Sequence, residues 1–369
     1  MSCCEHHHCN EEVKILAVIL DLDGTLLDTE RATKGIVKEF LASFGKELDR
    51  EKEKNRRLGM THRESSAAIV KDYDLPLTAE EFIQEITPLY REKWLEAKAL
   101  PGANRLVKHL EKHGVPIALA SNSLRENIDA KISLQKGWKE SFSVILGSDQ
   151  VKSGKPSPHL FEEAAKKMGV DALHCLVIED SLVGVEAAKA AKMKVVAVPA
   201  RSEADCHSLA NVVLNSLLEF QPEQWGLPPF DDWVDKALPI EPIHASGLFV
   251  NGSLSEVTEN GMSAFPDQIT GLFFGWIKVE VDRTFKALVS IGWHQCSCNA
   301  NRKIHIWVID ATDDHISDQQ IQILLVGYIK GLDNKEVASM GLEVLEEYKS
   351  IAPASLDKPM FIHHSHVPF

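Results

Sequence analysis

No apolar run in the sequence reaches the roughly 20 residues that a membrane span requires, so an integral membrane protein is not expected. A signal-peptide layout is missing too: Glu5 and the histidines at 6–8 stand where an apolar core would be needed. The leader also lacks the arginine and serine richness of an organellar transit peptide. Positive charge is in deficit, with 40 Lys and Arg against 54 Asp and Glu and a net charge of −14. That balance argues against nucleic acid or an anionic membrane as the main partner. Cysteine is sparse: seven residues, scattered and odd in number, fit reduced thiols better than a disulfide framework. A cytoplasmic protein is the expectation. The opening Cys3-Cys4 and His6-His7-His8-Cys9 could offer soft-metal ligands, but residues 1–13 read first as a disordered tail.

What is present is an ordinary globular composition, 44% hydrophobic and 25% charged, in a chain long enough for two domains. The most informative stretch is Ile15 to Glu30. An apolar run of strand length, Ile15 to Leu20, delivers Asp21 and Asp23 at its carboxyl end, where open α/β sheets bind ligands. Side chains two apart on a strand point the same way, so both carboxylates can serve one site. Two such charges need a metal or a shared proton. Gly24 lets the backbone approach a substrate, and Thr25 can donate to a phosphate oxygen.

Residues 31–99 read as helices, among them Gly35–Phe44, Glu64–Tyr73 and Thr78–Ala97, with Thr78 a candidate N-cap. Helices inserted after the active end of a first strand suggest a lid, and Arg57 to Thr61, with Gly59, is its candidate substrate-facing turn. Beyond Pro101-Gly102, a helix from Asn104 to His113 precedes a strand, Val115–Ala120, ending in Ser121-Asn122-Ser123. A short strand, Ser143–Gly147, is followed by Lys155 in a proline-bracketed loop, with Ser157 a candidate cap of the helix His159–Met168. Cys175–Ile178 then presents Glu179 and Asp180, a helix follows from Ser181, and Val195–Pro199 reads as the last strand. The alternation predicts a doubly wound parallel sheet.

Four strand ends thus supply Asp21 with Asp23, Ser121, Lys155, and Glu179 with Asp180. That set suits a phosphate monoester and one hard divalent cation, for which Mg²⁺ is the natural choice. Asp21 and Asp180 would give carboxylate oxygens, Asp23 its backbone carbonyl, and Glu179 support. Ser121 and Lys155 would hold phosphoryl oxygens. Asp21 is the expected nucleophile and Asp23 the acid, then base, for an aspartyl-phosphate route. Gly24, Thr25, Asn122, Arg57 and Gly59 complete the expected substrate contacts.

The segments Asp21-Leu-Asp-Gly-Thr25, Ser121-Asn122, Lys155-Pro156 and Glu179-Asp-Ser-x-x-Gly184 resemble, in order and spacing, the four motifs of the haloacid dehalogenase superfamily. The helical insert is similar to that family's small α-helical cap. An acid at Asp23 implies phosphoryl transfer rather than dehalogenation, and leaves a phosphomutase open beside a phosphatase.

After a Pro- and aromatic-containing connector, the periodicity changes to strands at 271–281, 285–293, 303–309 and 320–329, then a helix from Asn334 to Ile351. This predicts a small antiparallel β-barrel. The expected layout is a haloacid dehalogenase-like unit at 14–220 with its cap near 31–99, a linker at 221–237 and a barrel at 238–369. The order of the two units resembles the plant bifunctional FMN hydrolase/riboflavin kinase family, through segments such as Leu100–Arg105, Gly226–Phe230, Leu238–Pro242, Ser290–Trp293 and Val326–Ile329. The resemblance implies hydrolysis of FMN to riboflavin by the first unit and ATP-dependent phosphorylation of riboflavin by the second. The barrel departs from the kinase motifs. The glycine-rich stretch falls at Asn251–Val257, with one glycine, no arginine and an added acid. The Pro-Thr-Ala-Asn segment falls at Ser263–Pro266, and the catalytic glutamate at His305. These losses predict a kinase activity that is absent or very weak, with the barrel kept for packing or for binding riboflavin. The competing expectations are a sugar- or polyol-phosphate phosphatase, or a nonenzymatic flavin-binding or regulatory protein.

Overall fold

The computed structural model describes residues 14–49, 52, 62–200, 208–256, 265–279, 283–296, 299–309, 318–332 and 345–362. The proposed tail, the Arg57–Thr61 turn with Gly59, residues 263–264 and the start of the C-terminal helix lie outside them. No helix among the described residues is long and apolar enough to cross a membrane.

Six strands make a parallel sheet: β1 (Ala17–Leu20), β2 (Ile117–Ala120), β3 (Val144–Leu146), β4 (Cys175–Glu179), β5 (Lys194–Ala197) and β6 (Val212–Val213). Their spatial order is β3-β2-β1-β4-β5-β6, so the connections diverge to opposite sides at the β1/β4 boundary. Ligands bind outside the carboxyl ends of strands at such a point. Both faces of the sheet are covered. Val18, Leu20, Leu119 and Ile178 pack on one side with Leu106, Leu110 and Trp138. Their neighbours Ala17, Ile19, Ala118 and Val177 pack on the other with Leu160, Phe161 and Val185. Burial on both faces explains why these strands are continuously apolar rather than alternating.

The insert between β1 and β2 consists of helices at Thr29–Thr33, Ile36–Ser43, His62–Asp72 and Ala79–Trp94. Phe40, Leu41, Ile69, Phe82 and Ile86 give it a core of its own. Thr78 closes a capping box with Glu81, its hydroxyl accepting from the Glu81 N–H at 3.2 Å while the Glu81 carboxylate accepts from the Thr78 N–H at 2.8 Å. Ser157, by contrast, caps nothing: its hydroxyl pairs with the His159 ring at 2.8 Å, and the helix His159–Met168 starts from Pro158.

The second unit is a closed antiparallel barrel in the order β10-β11-β8-β7-β12-β9. Its strands are β7 (Leu238–Val250), β8 (Ser253–Glu256), β9 (Gly271–Val279), β10 (Arg283–Cys296), β11 (Asn299–Val308) and β12 (Gln319–Lys330). β6, β7 and β8 are additions to the strands expected from sequence. Pro239 and Pro242 lie within β7, and its outward residues are half exposed, so it has no clean apolar signature. Phe249, Phe273, Ile277, Val289, Ile304 and Leu325 fill the interior. Arg105 holds the connector, making a two-point pair with Asp232 at 2.6 and 2.7 Å and stacking over Phe230, while the Asn104 amide reaches the barrel and donates to Glu241 of β7 at 2.8 Å.

Candidate active site

At the carboxyl edge of the parallel sheet, β1 ends at Asp21, whose N–H is tied to the Ile178 carbonyl of β4 at 3.0 Å. That bond holds Asp21 beside Glu179 and Asp180. The three offer carboxylate oxygens within 4.8 Å of one another, and among the described residues they form the one such metal-capable group. Lys155 is buried under them, its Nζ donating to Asp21 and, at 2.7 Å, to Glu179. The Asn122 amide fixes the lysine's main chain from both ends, accepting from the Lys155 N–H at 2.8 Å and donating to its carbonyl at 3.1 Å. Asn122, a candidate substrate contact from the sequence, here places Lys155.

Glu179 has both oxygens engaged, the second accepting from the Ser181 N–H at 2.7 Å and its hydroxyl at 2.9 Å. A Cβ at Gly184 would collide with this carboxylate, which accounts for glycine there. Asp180 accepts from the Thr25 hydroxyl at 3.3 Å. Gly24 has φ +83° and passes so close to Asp180 that a Cβ would overlap its carboxylate.

Three carboxylates and one lysine leave this buried pocket short of positive charge. Burial, reinforced by Glu179 and Asp23, pushes the Asp21 carboxyl up to about 7 despite Lys155. Lys155 itself is held firmly protonated: desolvation opposes its charge, but Asp21 and Glu179 outweigh it. A hard divalent cation fits this donor set, since oxygen ligands are what it requires and its charge removes the deficit.

Asp23 faces a different set of partners. Its carboxylate accepts from Ser121 at 3.3 Å, Ser123 at 3.0 Å and Lys131 at 2.7 and 2.9 Å. Burial would raise its pKa, but Lys131, with hydrogen bonds from Thr29 and Ser123, holds the carboxyl below its usual range. Lys131 also donates to Ser123 at 2.8 Å and lies over the Trp94 ring of the helical insert, 4.7 Å from its centroid. Neither Lys131 nor Ser123 was anticipated. The available signal was a lysine on the inner face of the helix Arg125–Ile132, four residues after the buried Asn127 and beside Ile128 and Ile132. A cleft of about 2360 Å³ lies beside this constellation rather than on it, bordered by Asp28, Arg31, Arg105, Pro266 and Ile269.

The raised Asp21 carboxyl predicts how stability depends on pH in chelator. At pH 8 Asp21 is ionised against its burial, and this contribution is at its least favourable. As the pH falls through about 7 toward the unfolded value near 3.8, folded Asp21 takes up a proton that the unfolded chain does not. The penalty is relieved by roughly 1.4 kcal/mol per pH unit in that window. Melting in EDTA at pH 6 and pH 8 is expected to show this gain at the lower pH, and a divalent cation to shrink it. Identical pH slopes for wild type and Asp21→Asn would exclude Asp21 as its source.

Comparison with known proteins gives this site a context. Residues 15–192 match the haloacid dehalogenase-like hydrolase family, and residues 255–340 match the riboflavin kinase family. The chain is 39% identical over 364 residues, 95% of its length and 96% of the relative's, to the Arabidopsis thaliana bifunctional riboflavin kinase/FMN phosphatase. It is 37% identical over 229 residues to the Arabidopsis thaliana (DL)-glycerol-3-phosphatase 2, covering 59% of this chain and 94% of that one. Among solved structures, a haloacid dehalogenase hydrolase from Entamoeba histolytica aligns with a TM-score of 0.50 and 25% identity, over 57% of this chain and 97% of that one. The parallel sheet with its helical insert and the closed barrel behind it are the two units expected from such relatives. The chain belongs to the family in which a haloacid dehalogenase-like hydrolase domain precedes a riboflavin kinase domain.

Proposed function

We propose that the first domain is a Mg²⁺-dependent phosphomonoester hydrolase acting through an aspartyl-phosphate, with FMN as its preferred substrate. The observation that carries this reading is one buried lysine shared by Asp21 and Glu179, with Asp180 alongside and Asp23 on a separate set of donors. FMN is favoured because the relative spanning nearly the whole chain is named for that activity. Mg²⁺, held by Asp21, Asp180 and the Asp23 carbonyl, would supply positive charge against the transferring phosphoryl group.

In the first step an Asp21 carboxylate oxygen attacks phosphorus and the bond to the leaving alcohol breaks, with Asp23 giving that oxygen its proton. In the second, Asp23 takes a proton from water as the water attacks the acyl phosphate, releasing phosphate and restoring Asp21. Lys155 offsets charge at the attacking carboxylate, and Ser121 would hold a phosphoryl oxygen. Lys131 favours the ionised form of Asp23, which suits the second step. The first step needs that pair to loosen. Gly24 and Thr25 bring the backbone and a hydroxyl to the substrate side, and Arg57 and Gly59 are the further proposed substrate contacts. The domain limits that go with this reading are 14–220 and 238–369, joined by 221–237, in the cytoplasm.

The barrel is closed, and its residues at the expected kinase motifs depart from that chemistry. His305 packs against Trp307 with ring centroids 4.4 Å apart, and a Cβ on Gly252 would press on its imidazole. The histidine therefore fills the space beside the Asn251-Gly252 turn. Riboflavin kinase activity is expected to be absent or very weak, with riboflavin binding the surviving function. Phosphate release with Mg²⁺ across FMN, glycerol phosphate and several sugar phosphates tests the substrate, and ATP-dependent FMN formation by the full chain carrying Asp21→Asn, which cannot hydrolyse the product, tests the kinase. We expect FMN to lead the panel and FMN synthesis to stay at background. A lead for glycerol phosphate would instead favour the reading suggested by the glycerol-3-phosphatase relative.

A further inference from the structure

A side chain of the barrel domain reaches the loop that follows β1 of the hydrolase. Gln268 precedes β9, is 6% exposed, and its Nε2–H donates to the Gly24 carbonyl at 3.2 Å. We propose that Gln268 is a positioning residue for the hydrolase, supplied by the second domain. The proposal rests on the phosphatase reading of that site.

The argument begins with Gly24. Glycine is required there because a Cβ would overlap Asp180, and the same choice leaves the backbone free to rotate. On one side the Gly24 N–H is anchored to the Leu27 carbonyl at 2.9 Å. On the other side the Gly24–Thr25 peptide governs where Thr25 points, and the Thr25 hydroxyl donates to Asp180. A permissive residue in that position gains a fixed peptide orientation only from a partner on its carbonyl. Gln268 is that partner.

Gln268 is itself firmly held. Arg302 of β11 donates to the carbonyls of Phe265 and Pro266, both at 2.7 Å, and its guanidinium lies 4.5 Å from the Trp293 ring centroid. Ile269 N–H bonds the Pro266 carbonyl at 3.1 Å, and Phe265 and Ile269 are buried. The loop is thus clamped to the barrel wall, with the glutamine amide aimed at the β1 loop of the other domain. Asp267, next in the same loop, stands 3.6 Å from Arg302 and adds to the burial that raises the Asp28 carboxyl across the boundary. Barrel and hydrolase are coupled at the catalytic loop itself. The barrel is then a working part of the phosphatase whether or not it phosphorylates anything.

The test uses the full chain with Gln268→Met, which keeps the length and loses the donor. Gln268→Glu, which keeps size and polarity but has no N–H, repeats the measurement in case the thioether disturbs packing. Hydrogen exchange of the segment 21–30 is expected to quicken in both variants. With p-nitrophenyl phosphate as probe, the Mg²⁺ concentration for half-activation is expected to rise about five- to tenfold, the equivalent of one neutral hydrogen bond. KM is expected to stay within about twofold, since this contact does not bind the ester. Exchange in 21–30 and Mg²⁺ half-activation both equal to wild type overturns the proposal. If the wild type hydrolyses no phosphate ester, the phosphatase reading fails by itself, and the exchange measurement still decides whether Gln268 orders the loop.

Discussion

Asp21→Asn is expected to abolish phosphate release, lowering kcat by a factor on the order of 10⁴ to 10⁶, the range seen when a covalent nucleophile is removed. The amide has nearly the same shape and can still meet Lys155, but it cannot form the acyl phosphate. Binding of the ester should survive within a few-fold, because Lys155, Ser121 and the backbone of the Gly24 loop are untouched. Stability should move the other way. Asp21 is 5% exposed and pushed up to about 7 by burial among other acids, so its ionised form is a burden to the chelated protein at pH 8. A neutral amide removes that burden, and the variant is expected to melt above wild type in EDTA. Phosphate release, equilibrium binding of FMN and a melt in EDTA together check this. Turnover above a tenth of wild type would show that Asp21 is not the nucleophile.

The catalytic edge of the hydrolase domain was legible because the signals there are local. Short apolar runs end in Asp21, Ser121 and Glu179, and both faces of the sheet are buried, so each strand stands out without alternation. Thr78 could be read as a cap because Glu81 sits three residues on. The signals failed where structure depends on distant partners. β6 is two residues long, and β7 carries two prolines and a half-exposed face, so neither differs from a loop until its neighbour is known. Lys131 resembles a solvated helical lysine in sequence and becomes a partner of Asp23 only when its helix docks under the insert. Gln268 lies 244 residues from Gly24, and no spacing rule connects them. The motifs reported which acids belong together; they did not report what holds them in place.

Lys155→Met should cost the protein stability as well as activity, and the pattern of rescue identifies why. The Lys155 side chain is 2% exposed and Glu179 is 1% exposed, so the pair is shielded from solvent. Removing the lysine leaves two buried carboxylates without their shared countercharge. Breaking a buried pair in this way costs about 3–5 kcal/mol. For a domain of this size that corresponds to a fall in Tm of roughly 6–20 °C. A surface pair such as Lys112–Asp231, with both side chains largely exposed, would cost little by comparison. Methionine fills much of the space and its apolar stem suits the neighbouring Phe161 ring, so the loss isolates charge rather than packing. The deficit should be largest in EDTA at pH 8. Mg²⁺ should recover part of it, because a cation at Asp21 and Asp180 neutralises the same cluster from its other side. Turnover should not recover with the fold if Lys155 also balances charge at the proposed nucleophile, Asp21. Calorimetry with EDTA and with Mg²⁺, beside phosphate release, separates these effects. An unchanged Tm in EDTA would mean that the carboxylates are protonated or hydrated without the lysine, and that Lys155 is not what allows three acids to share one buried corner.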